Sequence, residues 1–183
     1  MQLLKKGLTD GVVILGLSFG LILSANAERA FKRPPLMSID FLYLMIDAEE
    51  KAEQGDVEMQ YFVANTNYTG RYEGKEVTED RAKAFHFYKK AANQGHAESQ
   101  TDLAIMYREG EVVRQNINEY IKWLRKAAAQ KETRAQALLG VAYEFGTGVT
   151  KNDAIAKEWY GKSCDNGNLD GCQDYKRMNE KGL

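Results

Sequence analysis

The sequence predicts an all-α protein, an α/α solenoid of stacked antiparallel helix pairs with a C-terminal capping helix. Three observations carry that expectation. Glycines stand at 74, 110, 146 and 182, at equal intervals of 36 residues. The same step aligns Val77, Val113 and Val149, then Asp80, Asn116 and Asn152, then Phe87, Trp123 and Trp159, then Lys90, Lys126 and Lys162. Chance supplies one such column, not several in one register, so the chain is a repeat protein. The only prolines are Pro34 and Pro35, and the remainder is rich in Ala, Glu, Lys and Gln, which favours helix.

Residues 1–27 read as a secretory signal peptide. Lys5 and Lys6 give a positive start, and the apolar run from Val12 to Leu23 is too short to span a bilayer. Ala25 and Ala27 place cleavage after Ala27. No cysteine follows the run, which argues against a lipid anchor, and no second apolar stretch occurs. The expected location is the periplasm or the medium, with no membrane insertion after cleavage. Residues 28–37 form a linker, and 38–183 the repeat domain.

Within that domain Ser38 is placed to cap a leading helix over 38–54. Repeats follow at about 56–95, 96–131 and 132–167, with a capping half-repeat at 168–183. Each first helix stops at the glycine column, Gly74, Gly110, Gly146 and Gly182, where glycine can adopt the left-handed cap. A short loop such as "GEVVRQN" or "GTGVTKN" leads to an Asn or Asp cap and a second helix. That helix carries apolar residues at 120, 121, 123, 124, 127 and 128, a helical stripe rather than a strand alternation. The tail "KAEQGD" precedes "AANQGH" by 40 residues rather than 36. The first unit is therefore expected to hold about one extra helical turn between Gln60 and Gly74.

The two cysteines, Cys164 and Cys172, are eight positions apart. On one continuous helix their Cα atoms would be about 12 Å apart, whereas a disulfide needs roughly 4.4–6.8 Å. Either they are unpaired or the chain reverses between them.

The segments "AESQTDLAIMYREGEVV", "RAQALLGVAYEFGTGV" and "EWYGKSCDNG" resemble the Sel-one-like repeat, a relative of the tetratricopeptide repeat. The likeness covers about 48–182. It departs from the family pattern in the first unit, at Lys131 where a glycine is usual, and at Val112. In this register Cys164 ends a second helix and Cys172 begins the next first helix, with Gly167 and Asn168 at the reversal. Cysteine pairs at this spacing are also similar to those of the Helicobacter cysteine-rich proteins, which implies a Cys164–Cys172 disulfide. Closing about nine residues is worth roughly 2.5 kcal/mol in the loop-entropy picture. It would staple the half-repeat to the stack.

For function, composition mostly excludes. The net charge is −1, with signs interspersed and no basic stripe, which argues against nucleic acid. The two histidines, His86 and His96, have no ligand partners at metal spacing, and S-x-x-K, G-x-S-x-G and a phosphate loop are all missing. Glu49, Glu50 and Glu53 read as a solvated helix face, and Trp123 and Trp159 as core. No cofactor is expected. The resemblance implies a non-enzymatic module that binds a protein partner on the concave surface, as an immunity or envelope scaffold protein, and a monomer. Some Helicobacter relatives are described as penicillin-binding with weak β-lactamase activity, which is the alternative. First-helix residues not needed for repeat packing are Thr101, Ile105 and Arg108, then Ala137, Val141 and Glu144. Tyr61, Asn65, Tyr68 and Tyr72 extend that strip in the first unit. Tyr68, Tyr72 and Arg108 are the candidate partner contacts. The competing reading is that the tyrosines pack the extra turn against the leading helix.

Overall fold

A computed structural model describes residues 39–182, so the signal peptide, the linker and Ser38 lie outside the described residues. The elements are α1 (Ile39–Glu53), α2 (Val57–Thr69), β1 (Arg71–Tyr72), β2 (Lys75–Glu76), α3 (Arg81–Asn93), α4 (Ala97–Glu109), α5 (Ile117–Ala129), α6 (Thr133–Phe145), α7 (Asp153–Asp165) and α8 (Leu169–Glu180). Helices adjacent in sequence pack against each other. The pairs α2/α3, α4/α5 and α6/α7 are complete units. α1 holds a second-helix position ahead of them, and α8 a first-helix position after them.

Side-chain caps set where each helix begins. Asp56, His96, Glu132 and Asn168 open the first helices, accepting from the backbone N–H of Met59, Ser99, Ala135 and Gly171. Asp80, Asn116 and Asn152 do the same for the second helices, accepting from Lys83, Glu119 and Ile155. Each such cap is worth about 1 kcal/mol. His96 is the unusual member, its Nδ1 accepting from Ser99 N at 3.2 Å.

The first unit corrects the expectation of a longer helix. α2 has 13 residues, like α4 and α6, and ends at Gly70, which is left-handed at φ +61°. The extra residues form a hairpin instead, in which β1 pairs antiparallel with β2 around Glu73 and Gly74. Both turn residues have positive φ, +47° and +77°, the conformation a two-residue hairpin turn demands. Gly74 is thus not a helix cap. The cap column is Gly70, Gly110 and Gly146, each donating its N–H to the carbonyl four residues back. Gly182 also takes positive φ, two residues beyond the end of α8 and just after its cap residue Lys181.

The core is a stripe of Ala and aromatic residues along the second helices. Ala84, Phe87, Tyr88, Ala91 and Ala92 are buried on α3, and Tyr120, Ile121, Trp123, Leu124, Ala127 and Ala128 on α5. Trp123 is 5% exposed, while Trp159 is only half-buried. The lysine column explains itself here. Lys90, Lys126 and Lys162 lie 5.5, 4.1 and 4.3 Å from the ring centroids of Phe87, Trp123 and Trp159. These cations shield the outer faces of the aromatic column.

The reversals between units share one device. Gln60, Gln100 and Gln136 are buried, and each donates Nε2 to the carbonyl eight residues earlier, on Ala52, Ala92 and Ala128. Each Oε1 accepts from the following reversal, from Gln94, Gln130 and Asn166, at 2.8–3.0 Å. One repeat later the two columns hold Cys172 and Cys164, at disulfide distance with Cα atoms 4.4 Å apart. The cysteine pair stands where the other reversals have a hydrogen bond.

Candidate partner-binding surface

The first helices α2, α4 and α6 present equivalent positions in a row. Tyr68 and Arg108 occupy one such column and both are half-buried. Tyr68 donates its hydroxyl to Glu109 Oε2 at 3.2 Å, and the Arg81 guanidinium lies 4.6 Å from its ring centroid. Arg81 is in turn within 3.2 Å of Glu111 and 4.0 Å of Glu109. Burial, reinforced by Glu109, raises the Tyr68 hydroxyl pKa, so it stays a donor across the neutral range. The Arg108 guanidinium lies 5.5 Å from the ring centroid of Tyr120 on its own second helix. Both side chains are therefore anchored at the base while part of each remains in solvent.

Tyr72 is elsewhere. It belongs to β1, and its ring packs on Phe41 of α1 at 4.8 Å and on Phe62 of α2 at 5.7 Å. That contact holds the hairpin against the leading helix.

Two residues of the surface strip are interior. Thr101 is buried and donates to Glu132 Oε2 at 2.6 Å. Glu144 is buried and accepts both Arg177 guanidinium nitrogens, at 2.6 and 2.7 Å, and the Tyr160 hydroxyl at 2.9 Å. Helical spacing identifies which side of a helix they occupy. It does not reveal that the next unit covers that side. The Arg177 contact holds the Glu144 carboxyl down to about 2, the opposite of what burial alone would do. Asp102, bonded to Arg134 of α6 at 2.9 Å, is shifted upward because burial outweighs that arginine. Ile105, Ala137 and Val141 stay half-buried on the strip.

Among the described residues no group of His, Cys, Asp and Glu is placed to hold a metal ion, and no helix is long and apolar enough to cross a membrane. Sequence reading missed Arg81 and Glu109 as anchors of Tyr68, because neither falls at a repeating position of one residue type. It also missed the glutamine column, although Gln60, Gln100 and Gln136 are visible once the first interval is taken as 40 residues.

The Sel1 repeat model matches residues 57–96, 97–132 and 133–168, more than half of the chain. No curated protein matches it. Among solved structures, the Sel1 repeat protein from Oxalobacter formigenes is 29% identical with a TM-score of 0.62, the match covering 73% of this chain and 97% of that one. A protective antigen of uropathogenic Escherichia coli with an SLR fold is also 29% identical, with a TM-score of 0.56, over 76% of this chain and 37% of its own length. The Helicobacter pylori cysteine rich protein B, 20% identical with a TM-score of 0.52 over 67% of this chain and 95% of that one, shares the fold. With three matched units and the cap, glycine and aromatic columns that define them, this chain belongs to the Sel1 repeat family, whose members are protein–protein interaction modules.

Proposed function

We propose that the protein is an exported module that binds a protein partner on the concave surface lined by its first helices, in an immunity or envelope-scaffold role. The carrying observation is the pair Tyr68 and Arg108, equivalent positions of successive units, each half exposed and each anchored by neighbours. Side chains already held in place lose little rotamer freedom on binding, and Tyr and Arg are the types enriched at binding hot spots. Ile105 and Val141 supply half-buried apolar area beside them. Export rests on the features of residues 1–27 and on the Cys164–Cys172 pair, because disulfides persist in oxidising compartments.

The experiment is capture of a partner from a periplasmic extract by wild type, Tyr68→Ala and Arg108→Ala, with helicity followed by circular dichroism. Capture is expected to fall about tenfold or more in each variant with helicity unchanged. Tyr72→Ala serves as the control and should loosen the hairpin while leaving capture intact. Unaltered capture by both folded variants would move the site off this surface. Intact mass of the exported protein should correspond to a chain beginning at Glu28; a mass retaining 1–27 would overturn the export reading.

A further inference from the structure

The two ends of the described array are complementary halves of one unit. α8 holds a first-helix position with no second helix after it, and α1 holds a second-helix position with no first helix before it among the described residues. Exposure marks what each lacks. Tyr175 shares its column with Val63, Leu103 and Leu139, which are fully buried, yet is 38% exposed. Leu44 shares its column with Ala84, Tyr120 and Ala156, also buried, yet is 37% exposed.

The faces between second helices repeat this complementarity. On α3, Lys83 pairs with Glu49, and His86 and Lys90 with Glu53, so these columns look back towards the preceding second helix. The matching positions on α1 are Tyr43, Ile46 and Glu50; Tyr43 is 60% and Ile46 55% exposed. The opposite column looks forward. Phe85 meets Tyr107 of the following unit at 5.6 Å, and Ile121 crowds Gly148. On α7 that column holds Lys157, which with Gly161 and Tyr175 lines an open groove between α7 and α8.

We infer that a second copy of this chain seats its α1 in that groove, where it becomes the second helix of the unit that α8 opens. The contact continues the repeat-to-repeat packing already present three times within the chain. The groove is mixed in charge, with Lys157 and Lys162 beside Glu158 and Asp165, and its two lysines can meet the acids Asp47 and Glu50 on the arriving face of α1. Two α1 helices meeting face to face would oppose those acids with themselves. The interface is therefore head-to-tail, in place of the expected monomer, and association is open-ended unless an end is blocked.

Sedimentation velocity over a concentration series of the purified full chain tests this, with Ile46→Asp to block the head and Tyr175→Asp to block the tail. Both sites are solvent-exposed, so circular dichroism should show both variants folded. Wild type should grow in mass with concentration, and each variant alone should remain a monomer. An equimolar mixture of the two variants should give a 1:1 dimer and nothing larger, because one intact head and one intact tail remain. Wild type that stays monomeric at every concentration would overturn the inference. So would Tyr175→Asp protein that still associates by itself, or a mixture that forms no dimer.

Discussion

The reversal between α5 and α6 and the one between α7 and α8 perform the same task with different chemistry. At the first, Gln136 donates to Ala128 and accepts from Asn166, so the turn is tied both to itself and to the next unit. At the second, Cys164 and Cys172 take over the Ala and Gln positions, and the tie is local. The hydrogen-bonded version makes sense inside the array, where a following unit supplies the partner for the buried amide oxygen. At the last reversal no following unit exists among the described residues, and a glutamine there would keep an acceptor without a protein donor. The comparison teaches that the terminal unit is secured by contacts that need no neighbour. The bidentate Arg177–Glu144 pair acts in the same way, tying α8 back to α6.

The largest test removes that covalent tie. Cys164→Ala with Cys172→Ala should lower stability by about 2.5 kcal/mol. Amides of residues 169–182 should lose hydrogen-exchange protection before the rest. Gln136→Leu should cost about 1–2 kcal/mol by removing the amide's bonds to the Ala128 carbonyl and from Asn166, and should act on both flanking units. Equal exchange throughout both variants would erase the distinction between the two reversals. Cys172→Gln with Cys164→Ala sharpens it: a rebuilt hydrogen-bonded turn should recover only part of the loss.

Acid separates the two regions in sign. Glu144 has its folded pKa depressed from 4.5 to about 2, first by its bond to Arg177. Its stabilisation is complete above about pH 4.5 and is lost as pH falls from there through about 2. Asp102 is shifted upward by burial, so its protonation favours the folded state and its effect runs the other way. Acid titration followed by residue-resolved exchange should therefore release α8 before the α4–α6 contact. Arg177→Gln should flatten the response of α8; an unaltered profile would show that Glu144 is not its source.

The smallest effect is at the turn glycine. Gly55, Gly95 and Gly167 have φ near +100°, whereas Lys131 fills the equivalent place at +66°. A residue with a Cβ is strained there, so Lys131→Gly should raise stability by about 0.5–1 kcal/mol in thermal melts. No gain would mean that the lysine makes a compensating contact.

Much of the fold was legible because its signals are local and repeated. Glycine caps, Asn and Asp caps and the aromatic column each recur at one spacing, and each has a conformational reason to recur. What failed was local to one unit. The extra residues of the first unit were expected to lengthen a helix because Gly74 keeps the 36-residue step, but Gly70 supplies the left-handed cap earlier. The residues Arg71–Glu76 then close on a Glu-Gly turn, a hairpin signal overshadowed by the periodicity. The surface was less legible than the core. Thr101 and Glu144 have the spacing of exposed positions, and only the neighbouring unit buries them. Tyr68 and Arg108 remain partly in solvent because their partners, Glu109, Arg81 and Tyr120, grip one side of each.

The clasp at Cys164 and Cys172 also has a mechanical meaning. A chain drawn out from its C-terminus would give up the part of α8 beyond Cys172 first, since among the described residues α8 packs on one complete unit alone. It would then meet a closed ring instead of a linear strand. The nine residues from 164 to 172 cannot add their roughly 30 Å of contour to the pulled chain while the ring is intact. Any motor or peptidase that threads an extended polypeptide through a narrow channel must therefore admit a doubled strand or stall at α7. The rest of the array lies behind that stop.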